Sequence, residues 1–268
     1  MSPRPGRSFA GAGRSLGRFV LLLVICFIAL QIGFVVQIAA MLAIDPASTT
    51  FQRSEAWRIA TSARPIAWQQ RWVDYEGISP HVKRAVIAAE DAGFNEHSGV
   101  EWDALEKAWE RNQRAEALAE RSTERAAAEA ARRSRPAAES KPARAAKVVG
   151  GSTITQQLAK NLFLAGERNF VRKGQELMLA WVMEAVLSKQ RILEIYLNSV
   201  EWGEGVFGVE AAARRYFRTG AGTLTAHQAA QLAVMLPAPK RFEKRPGSGY
   251  VMSRAATIVA RMGAVDIP

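Results

Sequence analysis

Gly150-Gly151-Ser152-Thr153-Ile154-Thr155-Gln156-Gln157-Leu158-Ala159-Lys160-Asn161 decides how the rest of the chain is read. Two glycines free the backbone ahead of a run at helical spacing. On that helix Gln157, Lys160 and Asn161 share one stripe, with Gln156 beside it. A core helix would carry apolar residues there. A helix start with bare backbone N–H groups, followed one turn later by a lysine, suits a phosphate or diphosphate. The segment predicts chemistry on a large anionic substrate, carried by a helical scaffold.

The flanking sequence extends that scaffold. Upstream, Ser79 is placed to cap a helix and Pro80 suits its first position. Val82, Ala85, Val86 and Ala89 recur at 3.6 spacing and deliver Glu90-Asp91 near the helix end, where Gly93 breaks it. Phe94, His97, Gly99 and Asp103 follow at once. Downstream, the spacing predicts a helix end near Gly166 and one long helix over about 169–200, carrying Leu177, Ala180, Trp181, Glu184, Leu187, Ile192, Ile195 and Tyr196. Near its start stands Arg172-Lys173-Gly174-Gln175-Glu176, cations ahead of the acid, which is the less favoured helical order. That local conflict marks residues placed for a site. Helices are also expected over 209–218, from the Thr225/Gln228 capping box to Pro237, and over 249–263. No convincing alternating strand run occurs, so the fold is mainly α.

From Phe19 to Ile44 the chain carries no charge, enough to span a bilayer. Arg4, Arg7, Arg14 and Arg18 precede it. The positive-inside rule then predicts a cytoplasmic tail at 1–18, a single-pass anchor at 19–44 and everything after Asp45 outside the inner membrane. Ala39-Ala40 and Ala43 could mimic a signal-peptide cleavage site, but the apolar run exceeds a signal core. A polar connector is expected over 45–77, its Trp57, Trp68 and Trp72 placed either at the bilayer interface or on the domain, and the globular domain over 78–268. Residues about 111–147 are built of Ala, Arg and Glu with Pro136 and Pro142, and read as a polar helix followed by a flexible insertion.

The formal net charge of +11 admits nucleic acid, an anionic membrane or a phosphorylated substrate as partner. Placement outside the cytoplasm disfavours nucleic acid. The lone Cys26 allows no intramolecular disulfide. His81, His97 and His227 show no zinc-ligand spacing, and neither H-E-x-x-H nor D-x-D occurs, so no metal site is predicted.

Taken together, Glu90-Asp91-x-x-Phe94-x-x-His97-x-Gly99, the Gly151–Asn161 segment, Arg172-Lys173-x-x-Glu176 and Arg191-Ile192-Leu193-Glu194-x-Tyr196-Leu197-Asn198 resemble, in order, the motifs of glycosyltransferase family 51 of bacterial cell-wall synthesis. The resemblance covers about 75–268 and implies a mostly helical, lysozyme-like fold. It implies polymerisation of lipid II and lipid-linked glycan into β-1,4 strands with release of undecaprenyl pyrophosphate, at the membrane and among cell-wall synthesis or division proteins. The sequence has neither S-x-x-K nor K-T-G, so a monofunctional enzyme without transpeptidase is expected. The stretch near 111–147 is longer than the family pattern.

By this resemblance Glu90 is the catalytic carboxylate, acting as general base on a sugar 4-hydroxyl. Burial beside Val86 and Ala89 would raise its pKa towards that task. Lys160 and Arg168 would hold the diphosphate, with Arg172 or Lys173 assisting. Ser152, Thr153, Gln156, Gln157 and Asn161 would bind sugar or phosphate oxygens. Glu176 would be the second carboxylate, either stabilising oxocarbenium-like charge or holding the cations in place. Asp91 and His97 are expected to support the site from behind, and Glu194 and Asn198 to be structural. No cofactor is required, although a divalent cation could share the diphosphate. The alternatives are a lytic enzyme on the same fold, disfavoured because a glycosidase leaving group is a neutral sugar, and a non-enzymatic scaffold.

Overall fold

The structure, a computed structural model, describes residues 9–63, 66–101, 106, 110, 114, 151–164 and 169–268. Gly150, Arg168 and, apart from Arg114, the 111–147 stretch lie outside the described residues. Arg114 itself is helical and pairs with Glu110 one turn earlier at 3.2 Å.

The chain is mainly helical, as its periodicity predicts. Helix α1, Phe9–Ala40, contains Ser15–Ala40, the one described stretch long and apolar enough to cross a membrane. It does not leave the domain at once. Gln31, Phe34, Ile38 and Met41 fall on one stripe that faces the domain, and Ile38 is fully buried there. Gln31 and Gln175 exchange two amide hydrogen bonds, at 3.3 and 2.9 Å. Arg191 closes the exit of the helix: its Nε donates to the Met41 carbonyl at 2.8 Å and its fork pairs with Asp45 and Glu194.

Residues 45–77 are not a free connector. They form α2, Thr50–Ala60, opened by a capping box between Thr49 and Gln52, and β1, Gln69–Gln70. Thr50 donates to the Leu162 carbonyl and Gln52 to that of Ser199, which ties α2 into the domain. Trp68 stacks on Phe207 with centroids 4.4 Å apart, Trp72 packs against the core, and Trp57 remains exposed. Packing thus accounts for two of the three tryptophans.

Helix α3, Pro80–Glu90, starts as the sequence predicts, with the Ser79 side chain accepting from the His81 N–H and Pro80 in the first turn. After it come α4, Ile154–Phe163, and α5, Phe170–Val186. The long helix expected over 169–200 is broken. Leu187 turns extended, and Ser188 caps a separate helix α6, Lys189–Ser199, by accepting from the Arg191 N–H. A serine among strong helix formers was the available signal. The hairpin strands β2, Glu201–Gly203, and β3, Val206–Phe207, lie beside β1 in a small sheet ordered β1-β3-β2. Strands this short leave no alternating pattern to read. The chain ends with α7, Val209–Phe217; α8, Ala226–Met235, capped by Thr225 and Gln228; the single turn α9, Pro239–Phe242; and α10, Gly249–Met262.

Two packed groups result. Helices α3, α8 and α10 bury Val82, Val86, Ala230, Leu232, Val251, Ala255 and Ile258 against one another. Helix α4 packs on α5, α6 and α2, with Ile154, Leu158, Leu179 and Met183 inside. The first group ends at Glu90. The second carries the cations and Glu176.

Candidate active site

Glu90 is the last residue of α3, half-buried where the helix stops. Burial is the main influence on it and pushes its carboxyl above the usual range, the neighbouring Asp91 adding to this; a hydrogen bond from Gln157 and the charge of Lys160 partly offset it. The Gln157 Nε2 donates to Glu90 Oε2 at 3.0 Å. The amide is held in that orientation from its other end, because the Tyr196 hydroxyl donates to Gln157 Oε1 at 3.0 Å. Tyr196 is buried, and burial together with Glu90 and Asp91 drives its phenol well above the ordinary value, so it stays a neutral donor. The sequence places Tyr196 only on a core stripe. Its hydroxyl is the signal of a second role, since a buried tyrosine needs a polar partner.

Asp91 and His97 build the support behind Glu90. Asp91 Oδ2 accepts from the Ile154 N–H at 2.9 Å, and Asp91 Oδ1 lies 2.8 Å from His97 Nε2. The Gly99 N–H donates to His97 Nδ1 at 3.1 Å, so the proton of the neutral ring sits on Nε2 and points to Asp91. Gly99 has φ +86, and a Cβ there would meet the Glu184 side chain at 3.0 Å. Only glycine fits this turn without strain.

These contacts correct the reading of the helix start. It is not bare. The Ile154 N–H goes to Asp91 and the Gln156 N–H to the Thr153 side chain, so two of its donors are already engaged. Thr153 is buried and also donates to the Gly99 carbonyl at 2.7 Å, which makes it a cap and a strut instead of a sugar ligand. Gln156 is buried too. Its Nε2 donates to the same carbonyl at 3.2 Å and its Oε1 accepts from Lys173, so both ends of the amide are used inside the protein. The polar residues that break the apolar pattern of α4 are in part scaffold.

On α5, Glu176 is buried with 3 % of its surface exposed, yet it stays ion-paired. Lys173 Nζ lies 2.6 Å from Oε1 and Arg172 Nη1 3.2 Å from Oε2. Lys173 also donates to Ser152 Oγ and Gln156 Oε1, both at 3.2 Å. The cation-before-acid order therefore serves to bring Arg172 and Lys173 onto one carboxylate. Lys160 is exposed and Asn161 half-buried on the same helix as Gln157. Arg168 lies outside the described residues. Glu194 accepts from the Tyr75 N–H and Asn198 bridges both polar atoms of the Val73 backbone, so these two are structural, as expected.

A groove of about 420 Å³ opens beside Glu90, lined by α3, α8, α9 and α10. Ala89, expected on the buried face of α3, is exposed and lines it. Among the described residues no group of His, Cys, Asp and Glu is arranged to hold a metal ion.

A desolvated carboxylate with a neutral amide donor can take a proton. A neighbouring set of cations, already fixed by a second carboxylate, can hold a multiply charged leaving group. The family model described as Transglycosylase matches residues 59–123 and 131–263, which begins inside α2 and leaves only 124–130 unmatched between its ends. The chain is 48% identical over 242 residues to a biosynthetic peptidoglycan transglycosylase of Burkholderia thailandensis, covering 90% of this chain and 83% of that protein. It is 46% identical over 244 residues to one of Paraburkholderia xenovorans, covering 91% and 90%, and 47% identical over 242 residues to one of Burkholderia vietnamiensis, covering 90% and 87%.

Proposed function

The chain belongs to the transglycosylase family, and from that premise we propose that it is a membrane-anchored peptidoglycan glycosyltransferase that polymerises lipid II. The observation that carries this reading is the pairing of two unlike carboxylates, the desolvated Glu90 and the cation-bound Glu176.

In the proposed reaction the 4-hydroxyl of the incoming lipid II unit meets Glu90. Glu90 takes the hydroxyl proton as the oxygen bonds to the anomeric carbon of the growing strand. The bond from that carbon to the lipid diphosphate breaks, and the α-linked donor becomes a β-1,4 linkage by single displacement. Undecaprenyl pyrophosphate leaves with its negative charge intact. Lys160, Lys173 and Arg172 stabilise that charge, and Arg168 extends the set. Arginine offers a bidentate fork and lysine a mobile point charge. Glu176 fixes Lys173 and Arg172 in place before substrate arrives, so less reorganisation accompanies the reaction. Tyr196 and Gln157 position Glu90 and keep a single N–H on its carboxylate. Ser152 and Asn161 remain as polar contacts for the substrate.

This reading needs no cofactor, because side-chain cations supply the charge. A chelator should leave polymerisation within about twofold if they suffice; a divalent requirement would appear as loss and recovery on adding magnesium. The arginines of the tail support a cytoplasmic N-terminus and a domain on the outer face of the inner membrane. An alkaline phosphatase fusion after residue 268 should be active if that orientation holds.

The deciding experiment is incubation of the purified full chain with labelled lipid II, alongside Glu90→Gln. Glycan strands from the wild type and none from the variant are expected. Shortening of existing glycan without synthesis would instead favour the lytic reading.

A further inference from the structure

Among the described residues, the groove beside Glu90 contains none of the proposed diphosphate cations. Lys160, Arg172, Lys173 and Glu176 are absent from its walls, to which Glu90 belongs. Its own cations are Arg241 on α9 and Arg254 and Arg261 on α10. All three are exposed. Among the described residues none of these guanidinium groups pairs with a carboxylate. Elsewhere on this surface arginines do find acids: Arg58 with Glu55 and Glu204, Arg191 with Asp45 and Glu194, Arg214 with Glu210. Single unpaired arginines on a surface need no explanation. Three converging on one concavity repel one another, and Glu90 is the only acid among its described lining residues.

The groove also has a flat apolar shelf. The rings of Phe242 and Tyr250 stack at 5.8 Å between centroids and 3° between planes, and Tyr250 is 64 % exposed. Arg241 lies over the Phe242 ring, 5.6 Å from its centroid. An anionic ligand with apolar faces, such as a peptide joined to a sugar, fits that combination.

We propose that this groove binds the peptide carboxylates of the acceptor unit. The inference rests on the polymerase reading above, in which the acceptor hydroxyl lies at Glu90; a peptidoglycan unit joins a peptide to its sugar. A groove that starts at Glu90 then receives the rest of that acceptor. A peptide brings at least its terminal carboxylate, and arginine holds carboxylates through two parallel hydrogen bonds. Arg254 and Arg261 are seven residues apart on α10, about 10 Å along its axis, a span that suits an extended chain with separated charges better than one compact diphosphate.

The test compares the full-length wild type with Arg254→Gln/Arg261→Gln on two substrates, native lipid II and lipid II whose peptide carboxylates have been converted to carboxamides. With native lipid II the variant should raise KM at least about tenfold while kcat stays within about twofold, as expected for loss of a charge-assisted contact outside the reacting atoms. With the amidated substrate, wild type and variant should behave alike. Arg254→Lys/Arg261→Lys should recover part of the affinity, since point charge returns without the fork. Equal losses on both substrates would overturn the proposal and assign the arginines to the acceptor diphosphate. No change on either would overturn it outright. Titration of fluorescent lipid II onto wild type and variant, native and amidated, reads the groove independently of turnover. A wild type that binds in this selective way but makes no strands would sink the polymerase reading and spare the groove.

Discussion

Glu90 and Glu176 are both carboxylates taken largely out of water, and they are treated in opposite ways. Glu90 sits where α3 stops and receives one neutral amide hydrogen bond, from Gln157. Glu176 lies within α5 and receives two cations, from Lys173 and Arg172. Desolvation that is only partly offset raises a proton affinity, whereas desolvation with paired charge creates a fixed electrostatic anchor. The difference separates the proposed base, free of a paired cation in its hydrogen bonding, from a carboxylate tied to two cations.

The largest test of this contrast is Glu90→Gln. It is isosteric and removes the proposed base, so polymerisation should fall about 10²–10⁴-fold with the melting temperature little changed. Equal loss of activity and stability would mean that Glu90 is mainly structural. Glu176→Gln should do both: strand synthesis falls, and about 1–2 kcal/mol of stability is lost as the Arg172 and Lys173 contacts weaken, the figure being modest because Lys173 is partly solvated. Thermal unfolding of the detergent-solubilised protein reads that split.

A third carboxylate sharpens the comparison. Glu201 is half-buried with its carboxylate covered, 3.3 Å from Lys240, and burial pushes it up to about 7. It resembles Glu90 in its desolvation but lines no catalytic groove. Its folded pKa lies above its unfolded value of 4.5. Below about 4.5 it is protonated in both states, and stability is lost as pH rises through about 7. Glu201→Gln should therefore stabilise the protein by about 1–2 kcal/mol at pH 8 and by little at pH 4.5, with activity retained. Melting temperatures at the two pH values decide it.

The smallest effect falls on the positioning of Glu90. Tyr196→Phe frees the Gln157 amide and should lower kcat by about tenfold, the value of roughly one hydrogen bond. It should also move the acid limb of the pH–rate profile upward, because the amide N–H that favours the charged carboxylate is no longer held in place. In the wild type that limb already lies above the ordinary carboxylate range, with activity lost as pH falls through the raised pKa of Glu90. A kcat loss without a shift would point to a purely structural tyrosine.

Much of this is legible in the chain itself. Caps and apolar spacing locate α3, α8 and α10 within a residue or two, and α4 ends about three residues before the expected Gly166, because local signals dominate there. Glu90, Lys173 and Glu176 stand out because they are polar or badly ordered for their local structure. What stays hidden depends on contacts distant in sequence. Gln156 reads as a substrate ligand until the Gly99 carbonyl is seen beneath it. The same holds for the helix start, whose anion turns out to be Asp91 from another motif. The break at Leu187–Ser188 is local but weak, since one serine competes with a long apolar period. The arginine groove is invisible in sequence because its walls come from α3 and from the last three helices.

The two hydrogen bonds between Gln31 and Gln175 bear on how deep the enzyme sits. From Ser15 to the residue before Gln31 an upright helix rises only about 24 Å, less than the roughly 30 Å of a hydrocarbon core. The shortfall must be met by apolar residues that are already in contact with the domain. If α1 crosses a membrane upright, the start of α5, where Val171 is 85 % exposed, comes close to the bilayer surface. Arg172 and Lys173 would then stand near the headgroup level, where a lipid diphosphate rests, and a lipid-linked substrate could enter sideways without leaving its leaflet.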